Sequence, residues 1–172
     1  MVRIGSLQTG SLAHSLLRSL MSYPDFSHLT PAATLDALPS FDYKVPATTL
    51  TREVMEYMKN HPDVPGMMIM EGDTVIGAIG RQRFESHMQQ VYSSEIYPKR
   101  PIQILVEVLK AEKLQLPAAT RIVDAALAAL QRPRSLVFEP LVIEFPDGQL
   151  RLVDCLIVLL AQVTILTKFL QQ

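Results

Sequence analysis

An internal repeat constrains the fold of this chain more than any other feature. Residues 45–49, VPATT, return as residues 116–120, LPAAT. The apolar run at 67–70 and the turn after it then align with 141–144 and its turn, if the second copy contains a loop insertion of three residues. One copy is too small to bury a core alone, so we expect the two copies to pack together about a pseudo-twofold axis.

Each copy has the pattern of five elements in the order β-α-β-β-α. The predicted helices, 51–60 and 122–131, have an apolar stripe, and each is followed by two short apolar runs joined by a turn, as in a hairpin. We therefore predict an α/β (α+β) fold of two pseudo-symmetric repeats, with a short N-terminal helical arm containing a helix at 11–21 and a long C-terminal helix. The predicted divisions are an arm at 1–40, a first repeat at 41–100, and a second repeat with the C-terminal helix at 101–172.

The apolar segment 152–170 is predicted to form the C-terminal helix. Polar residues within the segment argue against a membrane span; they are Asp154, Gln162 and Lys168. The i, i+3, i+4, i+7 spacing predicts the packed face, which consists of Leu156, Leu159, Leu160, Val163, Leu166 and Leu170. Ile157, Val158 and Ile165 lie off this face and need a second surface to bury them, so we predict a homodimer whose interface includes this helix.

Charge and cysteine content indicate the cellular compartment and exclude some classes of partner. Lys and Arg number 16 against 17 Asp and Glu, which gives a net charge of -1 and no basic surface for nucleic acid or an acidic membrane. The single Cys155 cannot form an internal disulfide, as suits a reducing compartment. The first twenty residues contain no unbroken apolar segment typical of a secretion signal. We expect a cytoplasmic protein that binds neither nucleic acid nor membrane.

The sequence offers little material for catalysis. Its four histidines are scattered, and none is paired with a carboxylate or cysteine at the spacing of a metal site or a catalytic triad. The glycines at 66, 72, 77 and 80 are spaced wrongly for a phosphate-binding loop. We therefore expect no enzyme activity, no catalytic residues and no bound metal.

The strongest candidate for a ligand site is the start of the helix after residue 80. Gly80, Arg81 and Arg83 lie where free backbone N–H groups and the helix dipole favour an anion, so a phosphate could bind there. The alternative is that both arginines are ordinary surface residues. Asp154 begins the C-terminal helix, where its carboxylate caps the helix or, alternatively, contacts a ligand or the partner repeat.

Four stretches of the chain resemble the CBS domain family. Residues 80–84 (GRQRF), 92–102 (YSSEIYPKRPI), 138–144 (FEPLVIE) and 151–154 (RLVD) are similar to the CBS-like sensory region ahead of bacterial, notably cyanobacterial, GGDEF and histidine kinase output domains. The resemblance implies a non-catalytic regulatory module in signal transduction, with a GGDEF or histidine kinase partner in cis or in trans. Adenine nucleotides are the ligands it implies.

The match to nucleotide-binding CBS domains has a specific gap. Such domains usually place Ser or Thr after the second hairpin strand and an Asp three residues later that holds the ribose. The corresponding residues here are Gly80 and Arg83 in the first copy, and Asp154 and Ile157 in the second. Neither copy keeps the pair.

Two functional hypotheses therefore remain. In the first, a small anionic, nucleotide-like ligand binds between the copies or at the Arg81 and Arg83 helix start, and its binding shifts the C-terminal helix. In the second, the pair is a ligand-free dimerisation scaffold or protein-interaction adaptor. An open cleft near Gly80 and Asp154 favours the first hypothesis, and a cleft filled by Met and Leu side chains favours the second.

Overall fold

The computed structural model describes residues 24–90 and 93–172, and two three-stranded sheets organise this part of the chain. In each sheet the first strand runs parallel to the second, and the second forms an antiparallel hairpin with the third. The first sheet consists of β1 (Lys44–Pro46), β2 (Gly66–Glu71) and β3 (Thr74–Gly80). The second consists of β4 (Gln115–Pro117), β5 (Leu141–Glu144) and β6 (Leu150–Val153).

Six α-helices accompany the strands in the described ranges. They are α1 (Thr51–Asn60), α2 (Arg81–Met88), α3 (Ser93–Ile96), α4 (Gln103–Val108), α5 (Ile122–Leu130) and α6 (Cys155–Leu170). We call the unit from β1 to α2 copy one and the unit from β4 to α6 copy two. Both have the order β-α-β-β-α, which confirms the predicted fold class of two pseudo-symmetric repeats with a long C-terminal helix. The helix predicted at 11–21 lies outside the described residues.

The two hairpins use corresponding residues and share a core. Met67 pairs with Ile79 in copy one, and Leu141 pairs with Val153 at the same point of copy two. One buried cluster takes apolar side chains from both hairpins. Its members are Met68, Val75, Ala78, Val142, Leu150 and Leu152. The copies are therefore joined by a common apolar core, as the small size of each unit requires.

The segment that precedes each copy is bonded to the other copy. The Leu35 N–H donates to Thr120 O of copy two at 2.9 Å, and the Ile102 N–H donates to Thr49 O of copy one at 2.7 Å. Leu35 and Ile102 are fully buried, each in the main core of the copy that it contacts. The exchange is symmetric, so neither copy completes its core from its own elements.

The buried face of α6 differs from the predicted one. Ile157, Val158 and Ile165, expected to need a second surface, are buried within their own chain in the core of copy two. The helix is apolar around most of its circumference, so apolar spacing alone does not identify the inward face. Several residues of the predicted packed face are instead largely exposed: Leu156, Val163, Leu166 and Leu170.

The start of α6 is also later than predicted. The segment 152–170 includes the end of β6, and the helix itself begins at Cys155, after the N-cap residue Asp154. Among the helices of 24–90 and 93–172, none has the combined length and apolarity that a membrane crossing requires.

Candidate functional site

A cleft of about 850 Å³ lies where the two copies meet. Corresponding loops of the two copies form its walls, residues 62–65 before β2 and residues 134–139 before β5. The starts of α2 and α6 also line it. The space near Gly80 and Asp154 is therefore open rather than filled by Met and Leu, and both charged and apolar side chains line it.

All four residues singled out from the sequence line this cleft: Gly80, Arg81, Arg83 and Asp154. They reach it from different copies, because Gly80 ends the last strand of copy one and Asp154 follows the last strand of copy two. The repeat thus brings corresponding positions to one site. Their individual contacts decide what each of them can offer a ligand.

Arg81 holds the end of α1 against the start of α2. Its Nε donates to Val64 O at 2.9 Å, its Nη1 donates to Met58 O at 2.9 Å, and its Nη2 donates to His61 O. Nη1 also contacts the Glu85 carboxylate at 3.0 Å. With all three nitrogens bonded inside the chain, this guanidinium already has its partners.

Arg83 is directed toward the chain that follows α4. Its Nη2 donates to Leu109 O. Its Nη1 is buried and has no hydrogen-bond partner among the described residues. Arg83 therefore brings positive charge and one unsatisfied nitrogen close to the start of α2.

Asp154 caps α6. Its Oδ1 accepts from the Leu156 N–H at 3.0 Å, and this bond satisfies one of the free donors at the helix start. Burial raises the pKa of the Asp154 carboxyl, and the bond from Leu156 opposes that rise. A ligand in the cleft would lie beside the residue that caps α6.

Glu139 is a residue of the cleft that the sequence did not single out. Its side chain reaches from the loop of copy two to the start of α2, where Oε2 accepts from the Gly80 N–H at 2.5 Å. The residue is only 5% exposed. Burial raises the pKa of its carboxyl, while the Gly80 bond and the charges of Arg83 and Arg132 lower it. Glu139 is therefore a buried acid with two arginines close by.

Arg132 supports the loop that presents Glu139. Its Nη2 donates to Glu139 O at 2.7 Å and to Val137 O at 2.9 Å, while its Nη1 is buried without a partner among the described residues. The available signal for Glu139 was an acidic residue two positions before a buried strand, in the inserted loop. Nothing in that signal indicates that the side chain reaches the other copy.

Other chemistry around the cleft is limited. His87 lines it, and burial lowers the pKa of its imidazole. Its Nε2 lies 3.5 Å from Ser93 Oγ, at the limit of a hydrogen bond. In 24–90 and 93–172, no group of three or more His, Cys, Asp or Glu residues is arranged to hold a metal ion.

The sequence matches no protein-family model and no curated protein sequence. The fold, by contrast, is similar to solved structures of CBS-pair proteins. CBSX2 from Arabidopsis thaliana superimposes with a TM-score of 0.57 at 15% identity, over 78% of this chain and 96% of CBSX2. A putative acetoin utilization protein, AcuB, from Vibrio cholerae gives 0.55 at 11% identity, over 84% of this chain and 98% of AcuB.

A structure of CBSX2 in complex with AMP is also similar, with a TM-score of 0.53 at 18% identity over 77% of this chain and 97% of that one. In all three cases the similarity covers more than three quarters of this chain. This similarity, the internal repeat and the two sheets of the same topology show that this chain has the fold of a tandem CBS-domain pair.

Proposed function

We propose that this chain is a non-catalytic, cytoplasmic regulatory module that binds a small ligand in the cleft and transmits its binding through α6. One observation carries the proposal: the open cleft is lined by Asp154, the residue that caps α6. A ligand that contacts Asp154 or Leu156 changes the hydrogen bonding and electrostatics at the start of this helix. The effect then reaches the exposed C-terminal half without a separate relay.

Adenine nucleotides are the first ligands to test. The cleft volume of about 850 Å³ lies within the range of small-molecule sites. CBSX2, which shares the fold, was solved in complex with AMP. Arg134 is exposed at the cleft and is the cation most accessible to a phosphate, because Arg81 is engaged by backbone carbonyls.

Thermal unfolding with a panel of AMP, ADP, ATP and cyclic dinucleotides tests ligand binding. We expect at least one nucleotide to raise the melting temperature at millimolar concentration, because a ligand that binds only the folded state stabilises it. Ser135→Trp places a large ring in the cleft and should abolish the shift. Gln131→Trp, on the same loop but outside the cleft, should keep it. If no ligand shifts the wild type, the sensing function is lost.

An output domain of the GGDEF or histidine kinase class, in cis or in trans, is part of the proposal. Its support is the resemblance of residues 80–84 and 138–144 to bacterial sensory regions. Reading the genomic frame beyond codon 172 and its neighbouring genes tests it. A kinase or cyclase there supports the assignment, and an unrelated context removes it.

The second candidate function is a dimerisation scaffold, and the exposed side of α6 favours it. Val163 is 59% exposed, Leu166 50% and Phe169 62%, so one side of the helix presents a run of large apolar side chains to solvent. Such a surface is an aggregation liability unless a partner covers it. A second copy of the chain, packed symmetrically along α6, would bury it.

Light scattering with two neighbouring substitutions tests this homodimer. Leu166→Glu should give a folded monomer of about 19.2 kDa, because Leu166 is exposed within one chain. Ile165→Glu should unfold the chain itself, because Ile165 is buried in the core of copy two. If the wild type is already a stable monomer at micromolar concentration, the scaffold function is excluded.

A further inference from the structure

We propose that Glu139 determines the specificity of the cleft: its carboxylate bars anionic groups from the Gly80 end and leaves that end to a neutral group that donates hydrogen bonds. The proposal deepens the function proposed above, since it rests on the cleft being the ligand site. It assigns a position to each part of a ligand. A nucleotide would direct its hydroxyl or amino groups toward Glu139 and its phosphates toward Arg134.

The geometry places the carboxylate directly over Gly80. Oε2 accepts from the Gly80 N–H at 2.5 Å. A Cβ atom added at Gly80 would lie 2.8 Å from Oε1 and 3.0 Å from Oε2. Gly80 is therefore required for this approach, and the carboxylate occupies the space in which a phosphate would reach the start of α2.

The groups around Glu139 carry positive charge, and the Glu139 carboxylate supplies the anion that they favour. Gly80 is the N-cap of α2, where the helix dipole and free N–H groups favour negative charge. Arg83 and Arg132 both act on the Glu139 carboxyl, and each has a buried Nη1 without a partner among the described residues. With Glu139 ionised, this positive region is already neutralised, and a second anion would meet its negative charge at close range.

Sulfate is a suitable probe, because it remains a dianion throughout the pH range of the experiment and requires no knowledge of the natural ligand. The melting temperature of the full chain is measured with sulfate and with chloride at equal ionic strength. We expect sulfate to raise the melting temperature of Glu139→Gln by about 2–4 °C more than that of the wild type. Gln keeps an acceptor for the Gly80 N–H but removes the charge.

Glu85→Gln is the matched control. Glu85 lines the same cleft with a half-exposed carboxylate, so its substitution changes the charge of the cleft by the same amount. We expect this variant to respond to sulfate like the wild type. Equal responses of Glu139→Gln and wild type, whether large or absent, overturn the proposal. The proposal is also overturned if sulfate raises the melting temperature of Glu85→Gln as much as that of Glu139→Gln, because the effect would then depend only on total charge.

A second measurement applies if Glu139→Gln does not fold. Protonation of Glu139 neutralises it as Gln does, so the sulfate shift should increase as pH falls toward the raised pKa of this carboxyl. Arg83 and Arg132 are the cations beside Glu139, and burial raises the pKa of the Cys155 thiol, so that this group stays uncharged. His87 and Asp154 also titrate near the cleft, so the measurement uses His87→Gln/Asp154→Asn. A shift that is independent of pH overturns the proposal.

The outcomes separate this proposal from the proposed function. Nucleotides that stabilise the wild type, with no difference between wild type and Glu139→Gln toward sulfate, leave the ligand site intact and remove the role of Glu139. The reverse result, sulfate binding only by Glu139→Gln and no response to the nucleotide panel, supports the exclusion of anions and removes nucleotide sensing.

Discussion

The helices α2 and α6 occupy the same position in the two copies, yet they are built differently. Each follows the third strand of its sheet, but α2 has eight residues and α6 has sixteen. Two large buried side chains, Phe84 and Met88, attach α2, whereas five buried residues spread along α6 attach it. At their starts, α6 is capped by its own Asp154, while Gly80 of α2 receives the Glu139 carboxylate from the other copy. Duplicated elements can thus diverge: the start of α2 is bonded by a side chain of the other copy, and the start of α6 by a cap of its own.

The largest expected effect tests how each helix is attached. Phe84→Ala should lower the free energy of unfolding by about 3–5 kcal/mol, because it leaves a cavity where the largest buried side chain of α2 packs. Ile165→Ala should cost less, about 2–3 kcal/mol, since the remaining buried residues still hold α6. Urea unfolding measures both, with the exposed Gln82→Ala as a control expected to change stability by less than about 0.5 kcal/mol. If Phe84→Ala and Ile165→Ala lower the free energy of unfolding equally, α2 does not depend on a single buried side chain more than α6 does.

The next effect concerns Arg81, because the corresponding position at the start of α6 is occupied by Cys155 rather than by an arginine. Arg81→Ala should cost about 2–3 kcal/mol, because it leaves the carbonyls of Met58, His61 and Val64 without their charged donor. Lysine cannot replace a planar group that serves several acceptors, so Arg81→Lys should recover little of the loss. Urea unfolding measures this as well, with the exposed Arg134→Ala as the control. Normal stability combined with lost ligand binding would instead make Arg81 a ligand residue.

A smaller effect is expected at the self-capped helix. Asp154→Ala should cost about 1 kcal/mol, the usual loss for an N-cap residue, and Asp154→Asn should keep most of the stability because Asn is a comparable cap. Thermal and urea unfolding of the three proteins measure this difference. If Asn is as harmful as Ala, the carboxylate charge rather than the cap is what the fold requires.

The smallest effect is the pH dependence contributed by Glu139. Below its ordinary pKa of 4.5 the carboxyl is protonated in both the folded and the unfolded chain. Burial raises the folded pKa, so above pH 4.5 the unfolded chain releases this proton first and the folded state loses stability as pH rises. The wild type should therefore lose stability relative to Glu139→Gln as pH rises through the folded pKa, and level off above it. A difference that stays constant with pH contradicts the raised pKa.

The sequence predicted the features that depend on local pattern. The helix predicted at 51–60 has those bounds, and the one predicted at 122–131 ends at Leu130. Both hairpins are present, because apolar runs joined by a tight turn specify pairing within a few residues. The repeat added a long-range prediction, that the two copies pack on each other, and the packed copies place Gly80 and Asp154 in one cleft.

Features that depend on distant contacts were missed. The inward face of α6 is decided by which elements lie beneath it, and its apolar residues cover both sides. Arg81 and Arg83 were expected to be either phosphate-binding or ordinary surface residues, because the carbonyls that they bind belong to residues 58–64 and 109. The three-residue shift between the copies was explained as a loop insertion and given no function, although the segment 131–140 that contains it carries Glu139 and Arg134 into the cleft.

The segment that precedes each copy packs on the other copy, and this exchange has a mechanical consequence. Phe26 and Leu29, near the first described residue, belong to the same buried core as Ile165 of α6, and Lys168 Nζ donates to Ser27 O at 2.8 Å. A pulling force applied between residue 24 and residue 170 therefore loads the core of copy two from both sides. Copy one lies outside this direct load path. Tension along the chain would act first on the contact between residues 26–29 and the C-terminal half of α6.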